Sequence, residues 1–144
     1  MKRKDTIPVV FFNASVILSG IRSSSGASAK LLRFAKQKRI TGLISEIILD
    51  ETLRHADKIG FSSSAISTVV TRIFVPIYPP PNNIAVRTYT AQVIDSGDAH
   101  VLASSRELDA DYLVTLDKRH LLVLQDTIKW IKIVSPKELI EQLG

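Results

Sequence analysis

The 144-residue chain contains 45% hydrophobic and 23% charged residues, a balance typical of a single globular domain. It has no cysteine, which excludes disulfide scaffolds, thiolate metal sites and cysteine nucleophiles and fits a reducing cytoplasm. Its apolar stretches are much shorter than the roughly 20 residues of a membrane-spanning helix, so we expect no membrane segment. The net charge of +5 favours a polyanionic partner such as nucleic acid.

Short segments rich in β-branched and aromatic residues alternate with longer segments of helical periodicity. Strands are predicted for residues 7–12, 42–44, 74–78, 112–115 and 132–134. Short apolar strands separated by helices are typical of a parallel sheet that helices cover on both faces. The pattern therefore predicts an α/β fold.

Helices are predicted for residues 28–38, 46–56, 62–73 and 98–108, and for a final segment that ends at Leu143. Ser45 and Ser135 stand at helix starts, where a hydroxyl group accepts a hydrogen bond from a free backbone N–H group. A proline connector at residues 79–81 interrupts the chain, but the composition does not change after it. We therefore expect residues 1–144 to form one domain, with the basic residues 1–4 as a solvated amino terminus.

Four carboxylate or amide side chains follow the predicted strands or lie on the helices after them. They are Asn13 after the first strand, Glu51 on the helix after the second, Asp98 at a helix start, and Asp117 after the fourth strand. In parallel α/β sheets, sites form beyond the carboxyl ends of the strands. The sequence therefore allows these side chains to meet at one place.

Three segments, in this order, resemble the PIN-domain nucleases. Residues 9–19, VVFFNASVILS, resemble the opening strand and turn of that family, in which an aspartate normally stands at the position of Asn13. Residues 45–51, SEIILDE, resemble the second segment, whose acid matches Glu51. Residues 95–103, DSGDAHVLA, and 110–117, ADYLVTLD, resemble the closing pair of acidic segments. The resemblance covers residues 7–135 and rests on the order and spacing of these motifs.

The resemblance implies a three-layer α/β/α sandwich with a pocket of about four acids that binds Mg²⁺ or Mn²⁺. Hard divalent cations prefer carboxylate oxygens, and they relieve the mutual repulsion of clustered carboxylates. Asp98 and Asp117 are the expected main ligands, and Glu51 is a further ligand or orients metal-bound water. Thr115 is expected to form a hydrogen bond within the pocket. Ser15 stands where many relatives carry asparagine, and its hydroxyl group can still form a hydrogen bond in that turn.

The usual activity of the family is hydrolysis of phosphodiester bonds, mostly in RNA, and many small members are toxins of toxin–antitoxin pairs. The resemblance therefore implies a cytoplasmic metal-dependent endoribonuclease, and if the protein is a toxin, an antitoxin is expected to occupy the pocket. Because they flank the pocket in the chain, three basic residues are expected to contact RNA: Arg22, Lys118 and Arg119. PIN domains often form homodimers, to which we expect exposed apolar residues such as Ile59 and Phe61 to contribute.

Asn13 departs from the family pattern, because an amide keeps the shape of a carboxylate but removes one negative charge. Natural loss of activity, a tolerated substitution with weaker metal binding, and a change introduced to silence a toxic nuclease all remain open. One alternative function is a catalytically inactive PIN-fold module that binds RNA or a protein. Another is a flavodoxin-like regulatory domain, for which Lys132 is poorly placed.

The acids also have ordinary structural interpretations. Asp98 and Asp117 can cap free N–H groups at helix starts, where an acid is favoured by the helix dipole. Glu51 can pair with Arg54 or His55, which lie at helical spacing from it.

Thr115 fits an ordinary strand residue, and Asp95 is interpreted as a turn residue. The histidines lack the close spacing of zinc ligands, so we expect all three to be surface or partly packed residues: His55, His100 and His120.

Overall fold

A computed structural model of the chain describes residues 6–144. Its strands are β1 (Val9–Phe12), β2 (Thr41–Leu43), β3 (Tyr112–Val114) and β4 (Lys132–Val134). Its α-helices are α1 (Ala14–Arg22), α2 (Ala27–Lys36), α3 (Glu46–Arg54), α4 (Ser63–Ile73), α5 (Asn83–Thr90), α6 (Ala99–Glu107) and α7 (Pro136–Leu143). Short 3-10 turns are formed by Ala56–Ile59, Ser96–Asp98 and Leu122–Leu124.

The strands form one parallel sheet in the order β2-β1-β3-β4, which confirms the predicted α/β/α sandwich with a central parallel sheet. The chain passes from β1 to β2 on one side and later returns to β3 on the other side of β1. The strand order therefore reverses between β1 and β3. Ligands of open α/β sheets bind at such a reversal, beyond the carboxyl ends of the strands.

The register of β1 and β3 determines which side chains meet at this point. Phe12 is the partner of Val114, and the Asn13 N–H group continues the ladder by donating to the Val114 carbonyl at 3.0 Å. Asn13 and Thr115, one residue beyond each strand, are therefore neighbours. Both side chains are buried.

The core is centred on β1, where Val10, Phe11 and Phe12 have no exposed surface. Apolar runs of this kind are typical of parallel strands covered on both faces. Helix α1 approaches α2 closely at Gly20, because a Cβ atom there would lie 2.5 Å from Leu32 Cδ1. This close approach brings α1, which begins immediately after Asn13, firmly against the core.

The predicted strand at residues 74–78 is wrong. Phe74 ends helix α4 instead, and the following segment contains Pro76, which has no N–H group to donate to a sheet. Tyr78 alone forms an isolated parallel bridge with Ser45, receiving one bond from the Glu46 N–H group at 2.8 Å.

Two helices, α1 and α5, were not predicted from the sequence. The prediction for residues 1–4 lies outside the described residues. Within residues 6–144, no helix is both long enough and apolar enough to cross a bilayer.

Candidate metal centre

A cavity of about 590 Å³ lies beyond the carboxyl ends of β1 and β3. Six residues that the sequence analysis expected at the site line it: Asn13, Ser15, Arg22, Glu51, Asp98 and Asp117. They come from the turn after β1, from α1, from α3, from the start of α6 and from the turn after β3. The fold thus brings together side chains that are far apart in the chain.

Two hydroxyl groups hold the Asn13 side chain. Ser15 Oγ and Thr115 Oγ1 donate to Asn13 Oδ1 at 2.9 and 3.1 Å. The same hydroxyl groups accept from the backbone N–H groups of Leu116 and Asp117, each at 3.1 Å. Thr115 is fully buried and does not itself line the cavity, but its hydroxyl group holds Asn13, which does. The amide oxygen of Asn13 is engaged by two protons.

Asp117 lies in a tight turn after β3. Its Oδ1 atom accepts from the backbone N–H groups of Arg119 and His120, at 3.1 and 3.0 Å. Its Oδ2 atom lies 3.2 Å from His120 Nδ1. One carboxylate oxygen of Asp117 thus accepts from free backbone N–H groups, as the capping interpretation expected. The other oxygen faces an imidazole nitrogen.

Asp98 stands at the start of α6 but forms no side-chain capping bond there, so the capping interpretation is wrong for this residue. Its pKa is raised above the usual value, first because burial disfavours the charged form and then because Asp117 and Asp95 add negative potential. His120 partly opposes this rise. Asp95 is an exposed turn residue, as predicted, and its Oδ1 accepts from the Gly97 N–H group at 2.9 Å.

Asp98, Asp117 and His120 form a donor cluster. Each offers one ligand atom, and these atoms all lie within 4.8 Å of one another. A divalent cation fits this set, because it would offset the negative potential that raises the Asp98 pKa and because carboxylate oxygens are suitable ligands. The donor set therefore has the chemistry of a divalent metal site.

Glu51 reaches the cavity from α3, whose buried residues Ile48 and Thr52 fix the rotation of the helix. Its Oε1 atom lies 2.9 Å from Nε2 of His100, a buried residue on α6. This contact joins the helix that carries Glu51 to the helix that follows Asp98. Within residues 6–144, His100 Nδ1 is the one buried side-chain nitrogen or oxygen atom without a hydrogen-bond partner.

The two pairings considered for the Glu51 carboxylate do not form. Arg54 pairs with Asp50 at 3.2 Å, and His55 Nδ1 contacts the Glu51 backbone carbonyl oxygen at 2.8 Å. The carboxylate of Glu51 instead contacts His100.

The sequence interpretation left every histidine out of the site, whereas the structure places His120 in the donor cluster and His100 against Glu51. The three-residue spacing between Asp117 and His120 was an available signal, because it brings the two side chains to the same side of a turn. His100 had no comparable signal, since its partner lies 49 residues away.

The basic residues divide into two groups. Arg22 lines the cavity, as does Lys58, which was not singled out in the sequence. Lys118 and Arg119 are exposed residues beside Asp117 and do not line the cavity. Lys132 lies at the start of β4, at the other end of the sheet from the cavity. This position agrees with the expectation that Lys132 is poorly placed to serve the pocket of a flavodoxin-like regulatory domain.

A protein-family model described as a PIN domain matches residues 9–119. The matched segment begins with β1 and includes the four positions Asn13, Glu51, Asp98 and Asp117. No curated protein gives a significant match to the chain. The PIN family generally comprises metal-dependent nucleases that act on RNA.

Proposed function

The chain belongs to the PIN-domain family, and from this premise we propose that it is a metal-dependent endoribonuclease whose activity Asn13 attenuates. The observation that carries the proposal is the cavity at the strand-order reversal, which Glu51, Asp98 and Asp117 all line. Residues 1–144 are proposed to form one domain that acts in the cytoplasm.

Asp98 and Asp117 are the proposed ligands of Mg²⁺ or Mn²⁺. When bound, such an ion stabilises negative charge on the phosphate and activates water for attack. Backbone N–H groups bind Asp117 Oδ1, so Oδ2, which contacts the His120 imidazole, is the oxygen proposed to bind the ion. Glu51, held by His100, is proposed as a further ligand or as the residue that orients the attacking water.

The basic residues are proposed to bind the RNA backbone. Arg22 lines the cavity and offers a planar set of donors to a phosphate group close to the ligands. Lys118 and Arg119 are exposed beside Asp117, where they can neutralise phosphates that lie outside the cavity.

Attenuation follows from the surroundings of Asn13. Its single oxygen already accepts from Ser15 and Thr115, and the other terminal atom is an amide nitrogen, which has no lone pair for a metal. An aspartate at this position can accept from both hydroxyl groups with one oxygen and present the second oxygen to the ion. The substitution thus costs the site one charge and one ligand atom.

The test compares the protein with its Asn13→Asp variant in Mn²⁺-dependent cleavage of a pool of structured RNAs. We expect the variant to cleave about 100-fold faster, which corresponds to roughly 2.7 kcal/mol of activation free energy. The double variant Asn13→Asp with Asp98→Ala is the matched control, and it is expected to be inactive. Equal activity of the single and double variants would assign the cleavage to a contaminant.

The alternative function is a catalytically inactive PIN-fold module that binds RNA or a protein, and the engaged oxygen of Asn13 favours it. If the Asn13→Asp variant fails to cleave at every metal concentration while the protein retains RNA binding, this alternative replaces the nuclease proposal.

The proposed biological role is that of the toxin of a toxin–antitoxin pair, in which a segment of the antitoxin occupies the acidic cavity. Growth arrest on expression of the Asn13→Asp variant, but not of the double variant, would support this role. A homodimer also remains a proposal. Phe61 is 40% exposed and available for it, whereas Ile59 is half-buried and lines the cavity.

A further inference from the structure

The donor cluster differs from an all-carboxylate site because it contains an imidazole nitrogen. The His120 side chain is 38% exposed, and although His120 does not itself line the cavity, its ring stands beside Asp117, which does. Its backbone N–H group donates to Asp117 Oδ1 at 3.0 Å, and its Nδ1 atom lies 3.2 Å from Asp117 Oδ2. The turn after β3 therefore holds the imidazole and the carboxylate side by side.

The separation of these two atoms matches a pair of ligands on one ion. Adjacent ligands of an octahedral ion with bonds of about 2.1 Å lie roughly 3.0 Å apart. The hydrogen-bonded contact between His120 Nδ1 and Asp117 Oδ2, at 3.2 Å, is close to this value, and one oxygen of Asp98 lies within 4.8 Å of one ligand atom from each of these two residues. Small side-chain adjustments are thus sufficient for all three residues to reach the same ion.

The amide at position 13 makes the nitrogen donor more important. Because Asn13 Oδ1 is engaged by two hydroxyl groups, the side chains that could serve as ligands are those of the donor cluster and Glu51, which lines the cavity. Mg²⁺ binds oxygen and water and gains little from imidazole. Imidazole suits transition ions such as Zn²⁺, Cu²⁺, Fe²⁺ and Ni²⁺ best, and Mn²⁺ is the weakest-binding member of this first-row series, so of the two ions Mn²⁺ is the one that gains from a nitrogen ligand. A site that has lost a carboxylate and includes an imidazole is therefore expected to favour a transition ion.

We propose that His120 is a third protein ligand and that it makes the site select Mn²⁺ over Mg²⁺. The inference rests on the proposed function, since it concerns the same metal site, but it assigns a ligand and a selectivity to the chain's own residues. His120 stands beside Asp117 through a three-residue turn, and the selectivity follows from its nitrogen. Asp98 and Asp117 supply the charge that either ion requires.

The test measures metal affinity without RNA, at one fixed pH. Mn²⁺ binding is followed by electron paramagnetic resonance of the free ion, and Mg²⁺ binding by its competition with Mn²⁺. The His120→Ala variant is expected to lose at least about tenfold in Mn²⁺ affinity, a loss that even outer-shell partners of metal ligands produce. Its Mg²⁺ affinity is expected to change by less than about threefold, because Mg²⁺ gains little from imidazole.

Two further variants keep the test decisive. His120→Asp replaces the nitrogen with oxygen and is expected to lower the ratio of Mn²⁺ to Mg²⁺ affinity while restoring strong binding of both ions. His55→Gln is the matched control, because His55 is a histidine that lines the cavity but lies outside the donor cluster, and it is expected to leave the ratio unchanged. Circular dichroism of each variant establishes that it is folded.

Equal loss of both affinities in His120→Ala, or no loss of either, would overturn the proposal. This outcome is distinct from failure of the proposed function, because affinity for the ions is measured without cleavage. If His120 confers selectivity for Mn²⁺ but neither the protein nor its Asn13→Asp variant cuts RNA, the ligand assignment is supported and the nuclease proposal is contradicted.

Discussion

Two cavities at opposite ends of the sheet contain similar residue types but engage them differently. The cavity beyond the carboxyl ends of β1 and β3 has a volume of about 590 Å³, and the one at the amino ends of β1, β3 and β4 has a volume of about 430 Å³. Each is lined by two aspartates and by basic residues; Asp109 and Asp111 are the acids of the second cavity, and Glu51 is a third acid of the first. A pair of aspartates beside basic residues therefore does not by itself distinguish a metal site from a structural crevice.

The cavities differ in the interactions that their aspartate carboxylates make with neighbouring groups. At the amino ends, the Asp111 carboxylate accepts from the Val9 N–H group at 2.9 Å and so helps to hold the beginning of β1. The basic residue Lys132 lies near the Tyr112 ring, with Nζ 5.9 Å from its centroid. At the carboxyl ends, by contrast, Asp98 makes no capping bond and is destabilised as an anion first by burial and then by the acidic residues beside it. A bound cation would therefore stabilise the Asp98 anion, whereas Asp111 already has a structural hydrogen-bond partner.

The largest expected difference between the cavities is in metal affinity. Asp98→Asn is expected to weaken Mn²⁺ binding by about 100-fold, since it removes a charge and a ligand oxygen. Asp109→Asn is the matched change in the other cavity, and asparagine tolerates the left-handed backbone found there, with φ of 54°. It is expected to leave the affinity unchanged. Titration calorimetry measures both values, and equal losses would erase the distinction between the two cavities.

For folding stability, we expect the larger effect from a change in the cavity at the amino ends of the strands. Asp111→Ala leaves the Val9 N–H group without its carboxylate partner and is expected to cost about 1–3 kcal/mol in the free energy of unfolding. Urea denaturation measures this cost. The affinity for Mn²⁺, measured under conditions in which the variant is folded, is expected to match that of the parent. A stable Asp111→Ala variant with impaired metal binding would reverse the assignment of the two cavities.

The smallest expected effect concerns the pH dependence of the metal-free protein. Because the Asp98 pKa is raised in the folded state, the folded protein binds this proton more tightly than the unfolded chain does. The Asp98 contribution to stability therefore falls as pH rises from the ordinary aspartate value through the raised pKa. Without metal, Asp98→Asn is expected to be more stable than the parent at neutral pH, and this advantage should shrink on acidification. Urea titrations at several pH values with a chelator present test this trend, and an advantage independent of pH would contradict it.

The fold was largely predictable from the sequence because its strands are short, apolar and separated by helical segments. Helix α1 was missed because Val16, Ile17 and Gly20 have low helix propensity, and their burial against the core outweighs it. The predicted strand at residues 74–78 was wrong because the prediction followed the apolar composition of the segment and gave too little weight to Pro76, which has no N–H group to donate to a sheet. Local preference alone cannot predict either outcome.

The candidate site was predictable where its residues lie close to strand ends. Asn13 and Asp117 were predicted because the carboxyl ends of parallel strands share one edge, whereas Asp98 was predicted from its place at a helix start within the segments that resemble the family. The contact between Glu51 and His100 depends on how α3 and α6 pack, and a single sequence contains no information on that packing. The hydrogen bonds from Ser15 and Thr115 to Asn13 Oδ1 could likewise not be predicted without the register of β1 and β3.

Anomalous diffraction from crystals of the protein grown with Mn²⁺ tests the central claim most directly. The account predicts an anomalous peak at the carboxyl ends of β1 and β3, in contact with Asp98, Asp117 and His120. A peak that lies only in the opposite cavity, beside Asp109 and Asp111, or the absence of a peak at concentrations that saturate binding in solution, would contradict it.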